Sequence, residues 1–214
     1  MTLVSDRQVF NFLLAEAFRT LTPWRFMLIR ILGFLLETVF FVLIAAALLR
    51  AWMNWLRVSM FAQPGSFVMA LTDWLVKPLR RTLPKSLGQA RVDWASLLAA
   101  FFLALAYALV WWVLFGLLLD NDDNAQVSTA LLYGAPLFAL KMLVRVTLQT
   151  TFMLVLGYAI LSWVQPGSPA YGLLARLTEP LLAPLRRIIP TIGGVDLSAL
   201  VLLVVLQIGL IVLV

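Results

Sequence analysis

This chain has 214 residues, of which 63% are hydrophobic and 12% are charged, and its formal net charge is +6. A soluble fold of this length could not hide so many apolar side chains in one core, so the composition indicates a membrane protein. Cysteine and histidine are absent, which excludes disulfides, thiolate metal sites, histidine haem ligands and Ser-His or Cys-His nucleophiles. We expect a protein without enzymatic activity, cofactor or nucleic-acid partner.

The first segment, residues 1–30, is predicted to contain an amphipathic helix that lies on the membrane surface. Apolar side chains recur at helical spacing from Val9 to Leu21, and charged or amide side chains lie opposite them, as in interfacial helices. Thr22 and Pro23 end this pattern, and acidic and basic residues interrupt the apolar run that a secretory signal needs. The alternative is that Met27 is the true start and the stretch before it is an extension.

Four apolar stretches are long enough to cross a hydrocarbon layer about 30 Å thick, for which about 20 helical residues suffice. These predicted membrane helices cover residues 31–49, 94–119, 146–164 and 197–214. Tryptophans lie near several of their ends, where amphipathic rings favour the headgroup layer. The sequence therefore predicts an all-α polytopic membrane protein.

The chain contains an internal repeat. Residues 72–84 and 178–190 are identical at seven of 13 positions, Gln-Pro-Gly-Ser occurs at both 63–66 and 165–168, and Val-Asp precedes the final apolar run of each copy. A period of about a hundred residues indicates a duplicated small domain. We divide the chain into the N-terminal segment, a first repeat (31–119), an acidic connection (120–136) and a second repeat (137–214).

Each repeat is predicted to form a membrane helix, a basic connecting segment and a second membrane helix. Because each unit crosses twice, the copies have the same orientation, and a parallel pseudo-two-fold axis along the membrane normal should relate them. The side that holds both repeat loops has ten Lys or Arg residues, against six on the other side. This bias predicts cytoplasmic repeat loops and termini outside.

Proline and glycine in the repeated Gln-Pro-Gly-Ser sequence are typical of turns, since Pro suits the first central position and Gly tolerates a positive φ at the second. The predicted turn residues are Pro64, Gly65, Pro166 and Gly167. After each turn we expect a short interfacial helix, over residues 67–76 and 170–177.

A doubled arginine follows each interfacial segment, at Arg80-Arg81 and Arg186-Arg187. The preceding Pro-Leu predicts a one-turn helix that begins at the proline and holds the guanidinium groups at headgroup level. Paired arginines beside membrane helices often only keep a loop inside. The alternative is that all four converge near the pseudo-axis and bind an anionic group, such as a lipid phosphate, an acidic partner segment or a cofactor carboxylate.

Asp93 and Asp196 directly precede apolar helices, where a short acceptor side chain is expected to cap the helix N-terminus. A contact with the neighbouring arginines is the alternative.

Glu37 and Arg145 are charged residues inside predicted membrane helices. Alignment of Trp55 with Trp163 places them at equivalent positions of the two copies, and therefore at one depth. Such charges are costly in a bilayer and are usually paired or functional. We predict an ion pair between the two halves, and a gated polar path is the more ambitious interpretation.

The motif Thr-(Asp/Glu)-x4-Pro-Leu-Arg-Arg-x2-Pro, followed by Asp and a membrane helix, occurs twice and resembles the YggT family of bacterial and plastid membrane proteins. Residues 49–55 and 162–163 also match, and the resemblance covers residues 32–214. It departs at residues 85–91, which replace a glycine-containing approach to Asp that the second copy keeps as Gly193-Gly194.

The resemblance implies a multi-pass protein of the bacterial inner membrane. Relatives are linked to osmotic tolerance, to cell division or nucleoid organisation, and to cytochrome cofactor assembly in plastids. We expect a scaffold or assembly factor that binds anionic lipids or acidic partner segments, with a membrane-protein partner or a second copy of itself. The alternative is a small oligomeric channel or transporter subunit with a polar path at Glu37 and Arg145.

Overall fold

The protein was analysed as a computed structural model, which describes residues 23–58, 65–82, 93–119, 124–187 and 196–213. Within these ranges all regular secondary structure is helical, which confirms the predicted all-α class. The helices are α1 (Pro23–Trp55), α2 (Gly65–Thr82), α3 (Trp94–Leu119), α4 (Asn124–Val164), α5 (Pro169–Arg186) and α6 (Leu197–Leu213). The predicted amphipathic pattern up to residue 22 and the turn residue Pro64 lie outside the described residues.

Three helices are long and apolar enough to cross a membrane, over Met27–Trp55, Trp94–Leu114 and Gly134–Val164. The fourth predicted membrane helix is apolar but has 17 residues, or about 26 Å of helix, so four crossings stay a prediction. Large apolar side chains point outward, for example Phe34 at 68% and Val212 at 82% exposure. Such surfaces suit contact with lipid and not with water.

The helix α4 begins well before the predicted position 146. Residues 124–136, which we predicted to belong to a connection, are helical, and the helix continues across Pro136. Proline removes one backbone hydrogen bond and usually kinks a helix. Here Ala135 and Ala139, on either side of it, are buried, so packing of small residues against the bundle offsets this cost.

Each repeat forms the same unit of three mutually packed helices, with α1, α2 and α3 in the first and α4, α5 and α6 in the second. Small residues let the long helices approach closely. The largest buried cluster joins α1, α3 and α4 through Ile44, Ala47, Ala100, Leu103, Ala104, Tyr107, Ala139, Met142 and Val146. A second cluster, centred on Val155, Leu182 and Ala199, holds α4, α5 and α6 together.

The packing between the repeats is less regular than the packing within them. Among the described helices α3 packs against α4, whereas its counterpart under a two-fold axis, a contact of α6 with α1, is not extensive. The pseudo-two-fold axis therefore stays a prediction. Because α1 and α6 are not closely packed, space remains between the two repeats at the end of the bundle that contains Leu213.

The expected break before each doubled arginine is wrong. One helix, α2, runs through Pro78, and α5 runs through Pro180 and Pro184, so no separate one-turn arginine helix forms. Side chains near these prolines are held by packing: Val76 is fully buried against Ala95 and Ala99 of α3, and Leu182 is fully buried in the second repeat. This packing offsets the cost of about 3 kcal/mol that proline adds to a helix interior.

The structure describes all of the second predicted turn and only the end of the first. Gly65 is the first residue of α2. Pro166 and Gly167 occupy the central positions of a turn that is closed by the Ser168 amide, which donates to the Gln165 carbonyl at 3.2 Å. The Ser168 hydroxyl then caps α5 by accepting from the backbone amide of Tyr171 at 3.1 Å.

Candidate functional site

In each repeat the first arginine of the doubled motif forms an ion pair with the aspartate that precedes the next apolar helix. In the second repeat, Arg186 donates to Asp196 Oδ2 from Nη2 at 2.7 Å and from Nε at 3.0 Å. Its Nη2 also donates to the Tyr158 hydroxyl at 2.7 Å, and its Nη1 to Glu179 Oε2 at 2.8 Å. Arg186 therefore ties together α4, α5 and the start of α6.

The first repeat has the same arginine–aspartate contact, but its arginine has fewer partners. Arg80 Nη2 lies 2.8 Å from Asp93 Oδ2, and the Asp93 side chain is only 5% exposed, against 52% for Arg80. This ion pair links α2 to the start of α3. The same sequence motif thus produces an arginine–aspartate link between the amphipathic helix and the following apolar helix in both copies.

Both aspartates also cap the helices that they precede. Asp93 accepts from the Ser96 hydroxyl at 2.9 Å and lies 3.4 Å from its amide, while Asp196 accepts from the Ser198 amide at 3.1 Å and from its hydroxyl. Burial raises the pKa of Asp196, but the hydrogen bonds from Ser198 and Arg186 outweigh it and hold that pKa below its usual 3.8. Capping and arginine contact, which we treated as alternatives, occur together.

The second arginine of each motif has a different environment. Arg81 and Arg187 are exposed, and neither makes a hydrogen bond or an ion pair with the part of the chain that the structure describes. No extensive contact joins α2 to α5 among the described helices. Two of the four arginines are thus paired with aspartates and two are not, and their convergence near a pseudo-axis stays a prediction.

Arg50 makes a buried contact that the sequence did not predict. This residue is 7% exposed, and its Nη1 donates to Thr72 Oγ1 and to Asp73 Oδ1, each at 2.8 Å. Hydrogen bonds from Lys77 and Arg50 hold the pKa of Asp73 below its usual 3.8. The repeat offered a signal, since Thr72 and Asp73 begin the duplicated motif, but Arg50 precedes that motif and is only one of the ten basic residues on the side of the repeat loops.

The structure brings Glu37 and Arg145 together, with Glu37 Oε1 3.4 Å from Arg145 Nη1. Both lie inside candidate membrane spans. They line a cavity of about 590 Å³ between α1, α3, α4 and the end of α6. Its wall also contains Lys141, Gln149 and Thr38, and the aromatic residues Phe34, Phe41, Tyr107, Trp111 and Phe138.

No group of three or more metal-ligating side chains occurs in the described ranges.

The sequence model of the CCB3/YggT family matches residues 29–114 and 137–214. The chain is 35% identical to an uncharacterized protein of Vibrio alginolyticus encoded in the proC 3' region, over 82% of this chain and 89% of the relative. It is 33% identical to the uncharacterized protein YggT of Escherichia coli K12, over 83% and 86%, and 31% identical to an uncharacterized protein of Haemophilus influenzae, over 74% and 78%. No solved structure matches the chain.

Proposed function

This chain belongs to the CCB3/YggT family, and we propose that it is a non-enzymatic membrane scaffold that holds anionic groups at the bilayer surface through Arg81 and Arg187. The anionic group is a lipid phosphate or an acidic segment of a partner. One observation carries this proposal: in both repeats the first arginine is paired with an aspartate, whereas the second is exposed and has no such pair among the described residues.

The ion pairs of the first arginines give the exposed ones a fixed position. Each amphipathic helix is tied to the next apolar helix through an aspartate at the start of that helix. The neighbouring arginine is therefore held near the level where the apolar helix begins, which is the level of lipid headgroups. A basic residue at an anionic leaflet gains about 1 kcal/mol, so the two together contribute about 2 kcal/mol, or roughly a 30-fold change in affinity.

The amphipathic helix α2 supports the same placement. Phe67 and Trp74 are 62% and 61% exposed and lie seven residues apart, on one face of the helix. Lys77 and Arg81 continue this face toward the C-terminus of the helix and are also exposed. An aromatic half followed by a basic half suits a helix at the boundary between acyl chains and headgroups.

In this proposal the protein resides in the bacterial inner membrane with its repeat loops in the cytoplasm, where anionic headgroups attract basic residues. A role in osmotic tolerance or in cell division, and a membrane-protein partner or a second copy of the chain, belong to the same proposal.

Native mass spectrometry of the delipidated protein, titrated with phosphatidylglycerol or phosphatidylcholine, tests the arginines. The double variant Arg81→Ala/Arg187→Ala should lose up to roughly 30-fold in phosphatidylglycerol affinity and leave phosphatidylcholine binding unchanged. The control Arg57→Ala/Arg176→Ala removes two other exposed arginines and the same total charge. Equal losses in both double variants would mean that net charge, and not the doubled motif, attracts the lipid.

A channel or transporter subunit is the second candidate, because the cavity lined by the charged residues Glu37 and Arg145 lies within the spans. Next to the cavity the described interior is apolar, with Ile44, Ala47 and Ala100 buried between it and the buried Arg50, so a conducting path would need a second copy of the chain. Ion flux from proteoliposomes under osmotic shock, abolished by Glu37→Gln, would support this candidate over the scaffold.

A further inference from the structure

The cavity between the repeats contains an arginine whose hydrogen-bonding capacity is largely unused. A guanidinium group has five N–H donors. The contact of Arg145 with Glu37 is 3.4 Å long, whereas the other ion pairs of the described residues measure 2.7 to 2.8 Å. The side chains of both residues are about half exposed, at 49% and 46%. Arg50, in contrast, is buried and hydrogen-bonded to two partners.

The depth of this arginine makes its unused donors costly. Arg145 lies 11 residues after the start of its candidate span at Gly134, which is about 16 Å of helix. Unsatisfied polar groups in a hydrocarbon environment cost several kcal/mol each. An acceptor that reaches the cavity and takes hydrogen bonds from Arg145 would remove this cost.

The charge and shape of the cavity indicate which acceptor fits. The lining includes the guanidinium group of Arg145, and the fork of N–H donors on a guanidinium group matches the geometry of a carboxylate or a phosphate. Most of the remaining wall is aromatic or aliphatic. The volume of about 590 Å³ lies within the range of small-molecule sites, and it far exceeds the space that an inorganic anion needs.

Access to the cavity is lateral. Phe34 of α1 and Leu213 of α6 both line it, yet these two helices make no extensive contact in the described bundle. A molecule dissolved in the bilayer could therefore enter between α1 and α6 without crossing the packed α3–α4 contact.

We propose that this cavity binds a long-chain amphiphile with an anionic head, a carboxylate or a phosphate, which accepts hydrogen bonds from Arg145 while its apolar chain lies along the aromatic wall. Glu37 orients the arginine and competes with the ligand for it. This site uses none of the residues of the proposed surface function.

Photolabelling in proteoliposomes of neutral phosphatidylcholine tests the site, with a diazirine analogue of palmitate as the probe. We expect labels on cavity-lining segments of α1, α3 and α4, and competition by palmitate and by its lysophosphatidate counterpart. Hexadecanol, which has the same chain without the charge, and inorganic phosphate, which has a charge without the chain, should compete at least tenfold more weakly. The relative strength of the two long-chain acids identifies the preferred head.

Two variants give opposite expected results. Arg145→Gln should weaken competition by palmitate about tenfold or more, because a hydrogen bond to a charged group is lost. Glu37→Gln should strengthen it several-fold, because the competing carboxylate is removed. Arg57→Gln, two residues beyond the end of α1, and Arg81→Ala/Arg187→Ala should leave it unchanged, so failure of this proposal and failure of the surface function are distinguishable.

The proposal is overturned if hexadecanol competes as well as palmitate, if inorganic phosphate displaces the probe, or if Arg145→Gln binds palmitate like the wild type. A loss of stability in Arg145→Gln would mimic a loss of binding, so Glu37→Gln provides an independent test. Unchanged or weaker palmitate binding by that variant would mean that Glu37 and Arg145 form only a structural ion pair.

Discussion

The ion pairs of the two repeats should differ in strength although their sequences match. Arg186 donates to three different side chains, and its own side chain is 30% exposed while that of Asp196 is 15% exposed. Removing one partner of a buried pair costs about 3–5 kcal/mol, and partial exposure reduces this to about 2 kcal/mol for Arg186→Ala. Arg80 is 52% exposed and contacts one carboxylate, that of Asp93, which is 5% exposed. Because Asp93 keeps its hydrogen bond from the Ser96 hydroxyl, Arg80→Ala should cost about 1 kcal/mol.

Thermal unfolding in a mild non-ionic detergent, followed by intrinsic tryptophan fluorescence, measures this difference. For a chain of this size about 1 kcal/mol corresponds to roughly 2–4 °C in Tm. We therefore expect Tm to fall by about 4–8 °C for Arg186→Ala and by about half as much for Arg80→Ala.

The adjacent exposed arginines serve as matched controls, since Arg81→Ala and Arg187→Ala remove the same charge without breaking a described contact. Both controls should keep the Tm of the wild type. The reasoning is refuted if Arg80→Ala is as destabilising as Arg186→Ala, or if the controls lower Tm as much as the paired arginines do.

Three further predictions concern pH, packing and the missed contact. The folded pKa of Asp196 is held below 3.8, so the stability that this carboxylate gives the folded protein is complete above pH 3.8 and is lost as pH falls through the folded pKa. The Tm difference between wild type and Asp196→Asn should therefore shrink below pH 3.8. A constant difference would contradict this. A Cβ atom at Gly33 would lie 2.9 Å from a ring carbon of Trp111, whereas one at Gly209 meets its nearest neighbour at an ordinary 3.5 Å. Gly33→Ala should therefore lower Tm, while Gly209→Ala should keep or raise it through helix propensity of about 1 kcal/mol, and the reverse order in thermal unfolding would refute the packing. Arg50→Ala removes a buried guanidinium group and its hydrogen bonds to Thr72 and Asp73, while Lys77 keeps its ion pair with Asp73. It should cost about 2 kcal/mol in unfolding free energy, and a Tm like that of the wild type would show that the contact contributes nothing.

Composition and periodicity were sufficient for the class of the protein. The all-α fold and the apolar helices follow from local hydrophobicity, because a bilayer accepts only segments that satisfy their own backbone hydrogen bonds. The duplicated motif was sufficient for the family. Helix boundaries were less predictable, since α4 begins at Asn124 and α2 passes through Pro78. The cost of a proline can be estimated from sequence, but the buried neighbours that offset it belong to other helices.

Some long-range contacts could be predicted from the repeat. Glu37 and Arg145 occupy equivalent positions, and the structure places them 3.4 Å apart. The contact of Arg50 with Thr72 and Asp73 could not be predicted in this way, because the position equivalent to Arg50 in the second repeat is Tyr158, which takes part in the Arg186 cluster instead. The two repeats thus have the same arrangement of three helices but different buried polar contacts.

By itself, the sequence determined that this protein is a helical membrane protein of two repeats with a doubled arginine in each. Only the tertiary structure decided what each arginine does. Neighbouring residues on a helix point about 100° apart. In each repeat the first arginine can therefore pair with the aspartate at the start of the next helix while the second arginine faces outward. The two arginines of each motif thus have different roles because their side chains point in different directions from the backbone.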